Sequence, residues 1–148
     1  MTTIAGMLRN VQSLDLRVQM PVLVQQTSFE IVRLNQSQLF SGIDSTGQKI
    51  SKKYNNVAYA VKKEQQNPLP GFLTPDLNLT GAFYSGFGVV VENNDYKIDS
   101  SDEKGQKLIV AYGEDIFGLT DKNKSEYSTG VLFSAIKDYI RSKGVPIG

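Results

Sequence analysis

Helical patterning dominates both ends of the chain, and strand patterning is confined to its middle. Residues 3–41 are rich in Leu, Gln and Arg and poor in Gly and Pro. That composition predicts helix, divided at Pro21, because proline fits a first turn and breaks a helix interior. Beyond Pro21, Val22, Phe29, Val32 and Leu39 recur at approximately helical spacing and form the expected apolar stripe. Such a stripe packs on a core or meets another subunit, and both readings stay open. Gly42, just past Phe40, is the predicted helix stop.

Residues 42–79 predict a long loop carrying prolines and lysines. Asp44-Ser-Thr-Gly47 has turn chemistry, and Tyr54 to Lys63 has the makings of a short helix. Pro68, Pro70 and Pro75 then forbid regular structure as far as residue 79. The loop's stretch 42–75, polar and proline-bearing, is expected to be mobile in the free chain and ordered by a partner. Ala82 to Tyr84 reads as a short helix. Phe87 to Glu92 and Tyr96 to Ile98 read as the two strands of a hairpin, joined by an Asn93-Asn94-Asp95 turn. Asp102 to Gly105 is a second turn. Leu108 to Tyr112 suits a strand or a short helix, and five residues leave both open.

The last element is a predicted helix over 128–143, with Ser128 as N-cap. Leu132, Ala135, Ile136, Tyr139 and Ile140 form one apolar face, and Gly144 then Pro146 end it. The sum is one α+β domain over residues 1–148. It has N-terminal helices, a small antiparallel sheet containing a β-hairpin, and a C-terminal amphipathic helix. A length of 148 residues fits one core.

Composition narrows the function. The chain has no Cys and no His. Thiolate chemistry and imidazole acid–base catalysis are therefore unavailable, and a Ser-His-Asp triad is excluded. Gly81 to Gly86 has the gap of a phosphate loop but lacks the lysine that should come after it. Asp99 to Gly105 has the wrong spacing for a calcium loop. Ser51 beside Lys52 carries no sign of a buried, activated lysine. No enzyme activity, cofactor or metal is expected. The most apolar run, Met20 to Val24, is too short to span a bilayer, so no membrane partner is expected either.

Net charge is +1, from 16 basic and 15 acidic residues, so no global field steers the chain toward nucleic acid. Charge is nevertheless segregated. Residues 48–64 hold Lys49, Lys52, Lys53, Lys62 and Lys63 against Glu64, with Tyr54 and Tyr59 between them. Residues 92–103 hold Glu92, Asp95, Asp99, Asp102 and Glu103 against Lys97. Opposed patches suit contact between copies of the chain. The lysine–tyrosine segment also suits a small monomeric RNA- or DNA-binding module.

Several short motifs occur in a telling order. They are Asp44-Ser-Thr-Gly47, Tyr54, Lys62-Lys63, the prolines, Leu77-Asn-Leu-Thr80-Gly81-Ala-Phe83, Ala111-Tyr112-Gly113 and Ile116-Phe117-Gly118. Over roughly residues 30–141 the order resembles the virion-morphogenesis family of tailed phages, the tail-completion and head–tail joining proteins. The chain departs from that pattern in lacking a Trp after the turn, where Lys49-Ile50 stands. It also has Asp115-Ile116 in place of a histidine before the Phe-Gly step, and Lys124 to Tyr127 in place of a Pro-Arg element. The resemblance implies a virion location, after assembly in the host cytoplasm, and a structural role at the head–tail junction as a ring around the DNA path. Its partners would be copies of itself and portal, adaptor or tail proteins, with non-specific contact to encapsidated DNA. Thr80, Gly81, Tyr112, Phe117 and Gly118 would be structural positions. Lys49, Lys52, Lys53, Lys62, Lys63, Asp99, Asp102 and Glu103 would meet subunits or DNA.

Overall fold

Helices α1 (Ile4–Gln12), α2 (Leu16–Gln26) and α3 (Ser28–Phe40) open the chain in a computed structural model. After them come α4 (Val57–Gln66), α5 (Ala82–Ser85), the hairpin strands β1 (Phe87–Glu92) and β2 (Asp95–Ser100), and α6 (Gly105–Tyr112). A 3-10 turn (Glu114–Ile116) leads to α7 (Asp121–Glu126), a π-helical turn (Tyr127–Leu132) and α8 (Phe133–Ser142). The structure describes residues 3–12, 15–78, 81–92 and 95–147, with the side chains of 7, 11 and 12 left aside. The class is α+β, as expected. Among the described residues no helix is long and apolar enough to cross a membrane.

Pro21 does not divide the N-terminal helices; α2 runs through it. Proline there forgoes one helical hydrogen bond, and α2 tolerates that loss. The break falls instead at Thr27. Its hydroxyl reaches the Leu23 carbonyl at 2.8 Å and the phenol of buried Tyr127 at 2.7 Å. A tertiary contact thus sets the boundary that the proline was expected to set.

The buried face of α3 also differs from the expected stripe. Ile31, Leu34, Asn35, Gln38 and Leu39 face inward, while Val22 and Phe29 are exposed. The true stripe keeps helical spacing but carries two amides.

β1 and β2 pair antiparallel, with Phe87 opposite Ser100 and Glu92 opposite Asp95. Alternation along β1 turns Phe87, Val89 and Val91 toward the core and leaves Gly88, Val90 and Glu92 outside. Residues 93 and 94 of the predicted turn lie outside the described residues. The 108–112 segment is helical, as part of α6.

Ser128 is not an N-cap. The cap is Thr120, whose hydroxyl accepts from the Asn123 N–H at 3.2 Å, and helical structure then runs to Ser142 through the π-helical turn. Gly144 ends it as expected. Its N–H donates to Arg141 and that of Val145 to Ile140, the paired bonds of a Schellman motif.

Two apolar clusters form the core. One joins Val24, Ile31 and Leu34 to Ile98, Leu119 and Tyr127; the other joins Leu39, Ile50, Leu77, Phe83 and Ile116. Phe87 and Phe117 touch both clusters, with ring centroids 5.3 Å apart.

Asn35 and Gln38 tie the two ends of the chain together. Asn35 donates to the Ile116 carbonyl and accepts from the Gly118 N–H, both at 3.0 Å. Gln38 donates to the Gly118 carbonyl at 2.9 Å and accepts from the Thr120 N–H at 2.9 Å and from the Asn123 amide at 2.7 Å. Residues 116–120 are therefore bonded to side chains of a helix as though to a neighbouring strand.

Candidate functional site

The lysine–tyrosine segment wraps the outside of the second core cluster. Asn56 caps α4 by accepting from the Tyr59 N–H at 3.0 Å. The helix therefore starts at Val57, three residues later than the sequence suggests, and Tyr54 stays outside it with its N–H on the Leu73 carbonyl.

Most of the lysines bond within the chain. Lys49 donates to the Pro70 carbonyl at 2.6 Å. Lys53 donates to the Ile50 carbonyl at 2.6 Å and the Thr74 hydroxyl at 3.1 Å. Lys63 is buried, 2.9 Å from Asp76 and 2.7 Å from the Asn78 carbonyl. The Lys52 ammonium lies 5.5 Å from the centroid of the Tyr112 ring, and Lys62 is exposed. Lys49, Lys53 and Lys63 thus lace the proline-bearing loop, whose buried parts are Gly42, Ile50, Asn67, Pro70 and Thr74 to Leu77. Gly42 shows how closely that loop sits. At φ +72°, a Cβ added there would lie 2.6 Å from the Pro70 side chain.

The acidic run is split between two places. Asp99 accepts from the Ser100 N–H at 2.7 Å and lines a groove beside β2. Asp102 is half-buried on the wall of a small pocket of about 170 Å³, with Tyr54, Tyr59, Lys63 and Tyr112. Its Oδ2 is buried without a hydrogen-bond partner among the described residues. Glu103 is exposed. The basic and acidic segments therefore meet around one pocket of the same chain, although no ion pair joins them among the described residues.

The structural positions converge elsewhere. Phe117 stacks among Phe83 and Phe87, and Gly118 lies between the amides of Asn35 and Gln38. A Cβ added at Gly118 would stand 3.1 Å from the Ser45 side chain, so the 44–47 turn packs on the Phe-Gly step. The Ser45 N–H donates to the Asp115 carbonyl at 2.8 Å. Gly81 precedes α5 and accepts from the Ser85 N–H. Tyr112 ends α6; Thr80 lies outside the described residues. No family model, curated protein or solved structure matches the chain.

Five of the seven tyrosines are held further from acid–base work at neutral pH than a free phenol. Burial, reinforced by the Asp76 carboxylate, raises the Tyr54 and Tyr84 phenols well above their usual range. Burial raises Tyr96, Tyr112 and Tyr127 as well. Among the described residues no three carboxylates gather closely enough to hold a metal ion.

The tyrosine shifts set a pH dependence. The folded state holds these protons more tightly than the unfolded state, so their contribution is fully present below the unfolded phenol value near pH 10. It is lost as pH rises from there through the folded values. Tyrosinate absorbance is expected to appear together with loss of far-ultraviolet dichroism, as one cooperative alkaline transition. Five phenols titrating independently near pH 10 with the fold intact would contradict this.

Sequence reasoning passed over Asn35, Gln38, Asn67 and Asp76. The first two carried a signal: they sit at i+4 and i+7 from Ile31, inside a helical apolar stripe. The other two lie in a proline-rich loop, where no periodicity marks burial.

Proposed function

We propose that the chain is a structural protein of a tailed-phage virion, placed at the head–tail junction and assembling as a ring around the DNA path. The observation that carries the assembly is the apolar surface of the N-terminal helices. Ile4 is 87% exposed, Leu8 57%, Val18 67% and Phe29 64%. Apolar surface concentrated on consecutive helices marks an interaction face. Val110 on α6 and Phe133 on α8 are exposed on other elements. A head-to-tail ring needs two different patches of this kind. The virion location rests on the ordered motifs of residues 30–141.

The nucleic-acid module is the weaker reading, because Lys49, Lys53 and Lys63 bond to atoms of the chain itself. Phosphate binding would have to compete with those bonds, and the Lys63 ammonium is buried as well.

Native mass spectrometry and electron microscopy of the chain, alone and with portal, adaptor and tail proteins of its virion, test the proposal. Rings are expected, and Val18→Glu with Phe29→Glu should abolish them while the variant stays folded. A chain that remains monomeric with every one of those partners would refute it.

A further inference from the structure

β2 bonds to β1 on one side and, among the described residues, to no strand on the other. The Ser101 N–H donates to the Gly86 carbonyl at 2.8 Å, which extends the register in which Asp99 faces Gly88. Antiparallel alternation then directs the N–H and C=O groups of Asp95, Lys97 and Asp99 toward β1. Those of Tyr96, Ile98 and Ser100 point away from it. Two of the three outward N–H groups are covered by aspartates: Tyr96 donates to Asp95 Oδ1 at 2.8 Å and Ser100 to Asp99 Oδ1 at 2.7 Å. The Ile98 N–H between them has no acceptor among the described residues.

A groove of about 790 Å³ runs along this edge. Five consecutive residues of β2, Asp95 to Asp99, line it. Neighbouring residues on a strand point to opposite faces, so a groove touched by all five tracks the strand's edge. Ile109, Phe117 and Leu119 also line it. Asp95, Asp99, Glu114 and Asp115 line it against only Lys97 and Lys124. The groove is acidic, with an apolar wall and unmet backbone groups on one side.

We propose that this groove binds an extended segment of a partner protein as a third strand on β2. The segment carries basic side chains opposite Asp95 and Asp99 and apolar ones between them. In the free chain the two aspartates guard the edge against indiscriminate pairing, a common device at exposed strands. A lysine or arginine of the incoming strand gives each carboxylate a counter-charge and draws it off its N–H. The Tyr96 and Ser100 N–H groups then become donors to the new strand, beside that of Ile98. The charges select the partner and the backbone holds it. The apolar residues of the segment pack against Ile109 and Phe117. Strand addition here rests on the edge geometry alone and does not require the virion reading.

The probe is a blocked peptide, Ser-Lys-Val-Thr-Val-Lys-Ser, titrated into the isotope-labelled full chain and monitored by amide NMR and hydrogen exchange. Shift changes are expected along 95–100 and 114–119, with the Ile98 amide protected from exchange. The same peptide with both lysines changed to glutamate should bind roughly tenfold or more weaker, from the loss of two cross-strand ion pairs. An Asp95→Lys, Asp99→Lys chain should prefer the glutamate peptide; if it does not fold, the two peptides on the native chain still decide. Equal binding of both peptides, or saturation without protection of Ile98, would overturn the proposal. Dimerisation that itself protects Ile98 would overturn it too, by assigning the edge to a second copy.

Discussion

Lys63→Met is expected to lower folding stability by about 3–5 kcal/mol, the scale for removing one partner of a buried ion pair. Asp76, with a side chain only 3% exposed, would keep a carboxylate without its cation. That carboxylate holds more than the lysine. It accepts from the Asn67 amide at 3.0 Å and from the Asn78 N–H at 3.0 Å, while Asn67 also donates to the Phe40 carbonyl at 2.7 Å. The pair therefore gathers the end of α3, the end of α4 and residues 76–78. Urea denaturation gives the measurement. The double variant Lys63→Met, Asp76→Asn should recover part of the loss, because it removes both charges and keeps an amide oxygen for the Asn78 N–H. A single variant within about 1 kcal/mol of the parent, the range of exposed pairs, would show that the pair is solvated.

Asn35→Ala is expected to cost about 2–6 kcal/mol, since it strands two buried backbone groups at about 1–3 kcal/mol each. Those groups are the Ile116 carbonyl and the Gly118 N–H, and Asn35 itself is 0% exposed. Asn35→Asp discriminates this from simple loss of volume. It keeps an acceptor for Gly118 but turns a negative oxygen toward the Ile116 carbonyl, so it should be at least as damaging as alanine despite its near-identical size. Thermal melts of both variants provide the test. If aspartate behaves like the parent, the amide is not the connection between α3 and residues 116–120.

The hairpin and the C-terminal apolar face were legible because their signals are local. Val89 and Val91 alternate with Gly88 and Val90, and Leu132, Ala135, Ile136, Tyr139 and Ile140 keep helical spacing. All five of those helical residues are half-buried, so the expected face does pack. Long-range bonds were not legible. Asn35 and Gln38 look like ordinary polar helix residues until their partners, some 80 positions away, are known. The misassigned stripe through Val22 and Phe29 is the same error, made by treating every amide as exposed. Charge counting found the lysine segment. It could not tell that Lys49 and Lys53 end on atoms about 20 residues distant. Asp99 was singled out, but the groove beside it draws walls from α6, from 114–119 and from α7, which share no motif.

The amide clamp also fixes when the chain can finish folding during synthesis. Asn35 and Gln38 leave the ribosome long before residues 116–123 exist, with 81 positions separating Asn35 from Ile116. At about 5–20 residues per second that interval is about 4–16 seconds. Throughout it, the buried face of α3 carries amides whose only acceptable occupants besides water are still untranslated. The nascent N-terminal helices therefore stay hydrated along that face, and the core closes only after Thr120 has emerged.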